Sequence, residues 1–100
     1  MTNEQKTQQK IEFELSPEVA QGQYANLAII AHSSSEFILD FAAMLPGMQK
    51  AKVKSRIVVT PEHAKRLLHS LQENVARYER TFGQINSNNN TPHLSGNGFA

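Results

Sequence analysis

The sequence predicts an α+β domain: a four-stranded antiparallel sheet followed by one C-terminal amphipathic helix, in the order β-β-β-β-α, assembled as a dimer. Three observations lead there. Apolar and polar residues alternate with period two in short stretches between residues 11 and 60, the signature of half-buried strands. From residue 61 to about residue 82 the period changes to that of a helix. Finally, only about 75 residues of the chain are folding material, a size at which a single core is marginal and a second subunit is expected to complete it.

The elements follow in order. Ile11, Phe13 and Leu15 alternate with Glu12 and Glu14 as a first strand, and Ser16-Pro17 ends it. After a turn-rich segment containing Gly22, Tyr24 to His32 reads as a second strand with Ala25, Leu27, Ile29 and Ala31 on one face. Ser33-Ser34-Ser35 suits a tight turn, and Glu36 to Ala43 follows as a third strand with Phe37, Leu39 and Phe41 on its apolar face. So short a link predicts an antiparallel hairpin. Pro46-Gly47 breaks the chain. Ala51 to Thr60 is a fourth strand, with Ala51, Val53, Ser55, Ile57 and Val59 on one side and Lys52, Lys54, Arg56 and Val58 on the other.

The helix start is well marked. Thr60 is a suitable N-cap, Pro61 stands where a first-turn proline is tolerated, and Glu62 complements the helix dipole. Gly83 is placed to cap the far end in the left-handed conformation, with Ile85 folding back onto the last turn. Ala64, Leu68, Leu71, Val75, Tyr78 and Phe82 form a seam spaced by alternating steps of four and three, which Leu67 widens. One helix is expected to cover one face of the sheet. The other face, carrying Ile30 and Ile38 with Ala28 and Ala42, then needs a second cover, and closed twofold assembly is the commonest way to supply it. The expected partner is therefore a second copy, a homodimer or higher homo-oligomer, with Leu68, Leu71, Val75, Tyr78, Phe82, Ile30 and Ile38 as candidate interface residues.

Composition bounds the chemistry. With no cysteine there is no disulfide framework, thiol nucleophile or zinc-thiolate site. The longest apolar run, Leu27 to Ala31, is far short of the roughly 20 residues a bilayer span needs, so no membrane association is expected. Residues 1–10 are a polar, Gln-rich lead without the apolar stretch of a signal peptide, which makes the cytoplasm the expected location. Residues 11–85 form the single domain. Residues 86–100, Asn-rich and without one charged side chain, are expected to be a disordered tail. Charge is uneven: residues 1–49 carry two basic against six acidic side chains, and residues 50–85 carry eight basic against three acidic. The two halves are electrostatically complementary.

No constellation of catalytic residues emerges. His63 and His69, six apart on the helix, do not share a face; His32 precedes a serine turn and His93 lies in the tail, so no metal site is expected. Ser33, Ser34 and Ser35 beside His32 and near Asp40 are the residue types of a hydrolytic triad, but adjacency in sequence is not triad geometry. The five glycines are scattered and make no phosphate loop, and no cofactor is expected. Asp40 stands mid-strand between Leu39 and Phe41, where a carboxylate is disfavoured; pairing across the sheet with Lys52, Lys54 or Arg56 explains it. The basic row Lys50, Lys52, Lys54 and Arg56, continued by Lys65 and Arg66, is the one feature that suggests nucleic acid, with Tyr24 as a stacking surface. Lysines also guard edge strands, and the pI of 8.1 falls short of a strongly basic footprint. The expected function is a non-enzymatic, homo-oligomeric binding or interaction module, with nucleic-acid binding through strand 50–56 as the alternative.

Several blocks carry a resemblance: Gln23-Tyr24-Ala25-Asn26, Phe37 to Phe41, the long run Ser55 to Leu68, Tyr78-Glu79 and Phe82-Gly83-Gln84-Ile85. Over residues 11–85 the chain resembles a family of short bacterial and archaeal proteins catalogued as a domain of unknown function. The resemblance implies that Tyr24, Asn26, Asp40, Arg56, Pro61 and Lys65 belong to a recurring pattern, and it carries no catalytic residue. Asn26, Asp40 and Arg56 are a candidate polar cluster on neighbouring strands. The element order is also similar to that of export chaperones of the SecB type, a fold analogy that adds a chaperone-like role as a further alternative.

Overall fold

A computed structural model describes residues 10–86 and 98–100. Along the chain run α1 (Pro17–Ala20), β1 (Leu27–His32), β2 (Phe37–Ala43), β3 (Lys52–Val59) and α2 (Pro61–Phe82). The strands make one antiparallel sheet in the order β1-β2-β3. The fold is thus α+β with a C-terminal helix, built on three strands instead of the four expected.

The absent strand is the first. Ile11, Phe13 and Leu15 lie in irregular chain and are 74%, 90% and 67% exposed. Alternation makes a strand only where a neighbouring edge supplies hydrogen bonds, and residues 10–15 pair with neither edge of their own sheet. Ser16-Pro17 does more than end a strand. The Ser16 hydroxyl accepts from the Val19 N–H at 3.3 Å, and Pro17 opens the single turn α1.

β1 and β2 form the expected hairpin, closed by a Ser33 N–H to Glu36 carbonyl bond of 2.9 Å. Its register sets the two faces of the sheet. Ile30 stands opposite Leu39, and Ile38 opposite Ala31. Because facing residues share a side of the sheet, Ile30 lies with Leu39, Phe37 and Phe41 on one face, whereas Ile38 lies with Ile29, Asp40 and Ala42 on the other. The common second face expected for Ile30 and Ile38 is therefore split between the two sides.

Leu45-Pro46-Gly47-Met48 turns the chain from β2 toward β3. Gly47 has φ +85°, the backbone that such a turn demands after proline, and the Met48 N–H closes it on the Leu45 carbonyl at 3.1 Å. β3 then pairs with β2, Phe41 facing Ser55 but Ala42 facing Val53. Lys54 is the extra residue of a β-bulge. This bulge breaks the alternation read from sequence: Val53 leaves the face of Ile57 and Val59, and Lys52, opposite Ala43, leaves that of Arg56.

α2 starts as expected, with the Thr60 hydroxyl accepting from the His63 N–H at 3.1 Å and Pro61 in the first turn. At its end Gly83 caps the helix with the positive φ, 101°, that favours glycine, but its ψ of 169° lies outside the left-handed helical basin; its N–H bonds the Glu79 carbonyl at 3.0 Å. Ile85 returns to the last turn through its backbone, which donates to the Glu79 carboxylate at 3.0 Å. The larger correction concerns the helix as a whole. α2 buries none of its residues and does not cover the sheet. The chain measures 60 × 34 × 33 Å with a radius of gyration of 17.6 Å, against the roughly 13 Å of a compact domain of this length.

Residues 87–97, most of the tail expected to be disordered, and residues 1–9 of the lead lie outside the described residues. Gly98–Ala100 run against the outer edge of β1, where no pairing was expected. Phe99 bridges Ile29, and Ala28 and Ala100 exchange backbone bonds of 2.5 and 2.7 Å. A side chain at Gly98 would collide with the Ile30 carbonyl oxygen. What core the chain owns centres on β2: Ala42, Ala43 and Asp40 are buried, and among the described residues no large side chain is fully enclosed.

Candidate functional site

Asp40 and Arg56 face each other across β2 and β3. The guanidinium grips the carboxylate with two bonds, Nε to Oδ1 at 2.7 Å and Nη2 to Oδ2 at 2.8 Å, a fork geometry that a lysine could not reproduce. Asp40 is buried at 8% exposure, while the Arg56 side chain is 64% exposed, so the pair is dry on one side and wet on the other. The bonds from Arg56 hold the Asp40 carboxyl below the usual carboxylate range, overcoming the opposing effect of burial, with the arginine charge helping. The same contact raises Arg56 above its ordinary value. Among the three basic candidates for Asp40, the register selects Arg56.

Asn26 does not join this pair. Its carboxamide behaves as a peptide group: Nδ2 donates to the Met44 carbonyl and Oδ1 accepts from the Met44 N–H, both at 2.9 Å, while its own N–H bonds the Ala42 carbonyl at 3.0 Å. The side chain thus closes the β1–β2 ladder just before β1 begins, which is why that strand starts at Leu27 and leaves Tyr24 and Ala25 outside. The expected three-residue polar cluster is one ion pair plus one ladder closure.

The basic row is also divided. Lys50 lies in the loop before β3, Lys52 and Arg56 occupy opposite faces, Lys54 is in the bulge, and Arg56 is committed to Asp40. Lys65 and Arg66 are exposed on the first turns of α2, where helical spacing sets Arg66 nearly opposite the apolar seam. Sequence reasoning reads β3 as an unbroken alternation, and no glycine or proline marks the bulge.

The interface candidates on α2 stay together. Leu68, Leu71, Val75, Tyr78 and Phe82 form one exposed stripe, and Tyr78 and Phe82 touch with ring centroids 4.9 Å apart. Leu68, Leu71, Gln72, Val75, Ala76 and Glu79 line a shallow groove along it. No described helix is long and apolar enough to cross a membrane. Among the described residues no group of three or more His, Asp or Glu side chains gathers as metal ligands.

A family model described as a protein of unknown function, DUF3467, matches residues 1–87. The chain belongs to that family. No curated protein and no solved structure matches it. In this DUF3467 chain the matched region takes in the ion pair, the Asn26 closure and the whole of α2, and stops short of the β1-edge residues Gly98–Ala100.

Proposed function

We propose that this DUF3467 protein is a non-enzymatic interaction module that works as a homodimer, with the α2 seams of two copies packed on each other. The observation that carries the reading is the open seam: Leu68, Leu71, Tyr78 and Phe82 are each more than half exposed along a 22-residue helix that its own sheet does not cover. A stripe of leucines and aromatics about 21 Å long is far more apolar surface than a solvated helix face needs. The thin core argues the same way, because the two alanines and one aspartate buried among the described residues do little to offset the entropy of ordering them. Tyr and Phe at the seam suit an interface core. The one carboxylate buried in the sheet has both oxygens bound by Arg56, which fits a structural part and not a proton-transfer role.

Light scattering at micromolar concentration tests this. The expected mass is twice the chain mass of 11.2 kDa; a monomer at that concentration overturns the reading.

A further inference from the structure

Two unpaired features of the chain match each other. One is the outer edge of β3, which has no neighbour among the described residues because the sheet order ends there. The other is the segment 10–16, irregular in the single chain, with three exposed apolar side chains alternating with two glutamates. We propose that in the dimer this segment of one chain adds as a fourth strand to the β3 edge of the second copy, and the reverse. This rests on the dimer reading of the preceding subsection.

Length, face and charge all agree. The bulge at Lys54 leaves Ser55 to Val59 as the regular part of β3, a run of five, and Ile11 to Leu15 is also a run of five. Antiparallel pairing with Phe13 opposite Ile57 sets Ile11 opposite Val59 and Leu15 opposite Ser55. The apolar side chains of the segment then lie on the Ile57 face, where Ile57 is 46% exposed. In the same register Glu14 stands opposite Arg56, whose side chain is 64% exposed while it grips Asp40. A shift of one residue would put Phe13 beside Arg56 and turn both glutamates onto the apolar face, so the alternation selects this parity. Within the single chain no backbone bond joins segment and edge, and the second copy is the occupant that the exposed helix seam also suits.

Mixed dimers read this directly. Isotope-labelled parent chain is mixed with excess Phe13→Pro chain carrying an affinity tag, and the tagged dimers are recovered, so each labelled chain keeps its own segment but faces a broken one. Exchange in trans predicts that β3 amides directed away from β2 lose hydrogen-exchange protection by about tenfold or more relative to the parent dimer. Unchanged protection means the segment folds onto its own β3 and overturns the proposal, as does an absence of protection at those amides in the parent dimer. Phe13→Ser, which keeps the amide, replaces the proline variant where the latter fails to pair. A second readout uses the cysteine-free background: oxidised Phe13→Cys/Ile57→Cys chain is expected at twice the chain mass on a non-reducing gel. A cross-link within one chain sinks the exchange while leaving the dimer intact, whereas a monomeric parent by light scattering sinks the dimer itself.

Discussion

Leu71→Ala is the sharpest perturbation of the seam. Leu71 lies mid-helix between Leu68 and Val75, and it is 58% exposed in the single chain, so that fraction remains for a partner to bury. Truncating a fully buried leucine to alanine costs roughly 2–5 kcal/mol; scaled by the exposed fraction, this leaves roughly 1–3 kcal/mol per chain. A twofold interface carries the change on both sides, so association should weaken by roughly 2–6 kcal/mol, on the order of 30-fold to 10,000-fold in Kd. The assay is molar mass against dilution, with circular dichroism at high concentration to confirm that the dimer's helix is retained. Glu73→Ala is the control, because helical spacing sets residue 73 about 200° around the axis from residue 71. A dissociation midpoint for Leu71→Ala within about threefold of the parent, or an equal shift for Glu73→Ala, would refute the packing argument.

Three further perturbations test the single chain. The native pKa of Asp40 is depressed by Arg56, so the pair stabilises fully above the unfolded carboxylate value of about 3.9 and ceases to do so as pH falls through the lower native value. Melting curves of the parent and Asp40→Asn should therefore differ near neutral pH and converge as the pH falls below the depressed native value, and a gap that persists at the acid limit contradicts the assignment. Thr60→Ala removes the hydroxyl that caps α2 and should lower stability by about 0.5–2 kcal/mol in denaturant titration, with Thr60→Ser close to the parent; equal losses in the two variants would remove the cap from the explanation. Asn26→Ala deletes both side-chain bonds to Met44 and should cost roughly 1–2 kcal/mol, with faster exchange of the Met44 amide. Slow exchange at Met44 in that variant would show that the carboxamide is not what closes the ladder.

Local grammar explains what the sequence made legible. Thr60-Pro61-Glu62 announces a helix because the cap, the fixed proline φ and the acidic first turn act within four residues. The hairpin follows from two apolar runs and a serine turn. Asp40 demanded a cationic partner, although only the register shows that Arg56 is the one. Other features depend on long-range context. Ser16-Pro17-Glu18 has the same grammar as the α2 start but makes only one turn, since no apolar seam follows to sustain a helix. Ile11 to Leu15 has a strand's alternation but pairs with neither edge of the sheet in its own chain. The face to which Val53 belongs is set by the bulge at Lys54, and the bulge is a property of the β2–β3 pairing rather than of either strand alone. Asn26 was legible as a polar residue in an odd place, but its use as a surrogate peptide depends on Met44, eighteen positions away.

A sheet edge that accepts strands is also a hazard, since each added strand exposes a fresh edge and growth toward fibres has no natural end. The misstep at Lys54 shortens the template for the first such addition. A strand laid along β3 from Val59 runs out of matched partners after Ser55, and the lysine there brings a charge that stacking would have to strip of water. Deleting Lys54 would give an uninterrupted ladder from Lys52 to Val59, a straighter and longer template. The bulge therefore limits the regular template that this edge offers to the five residues Ser55 to Val59.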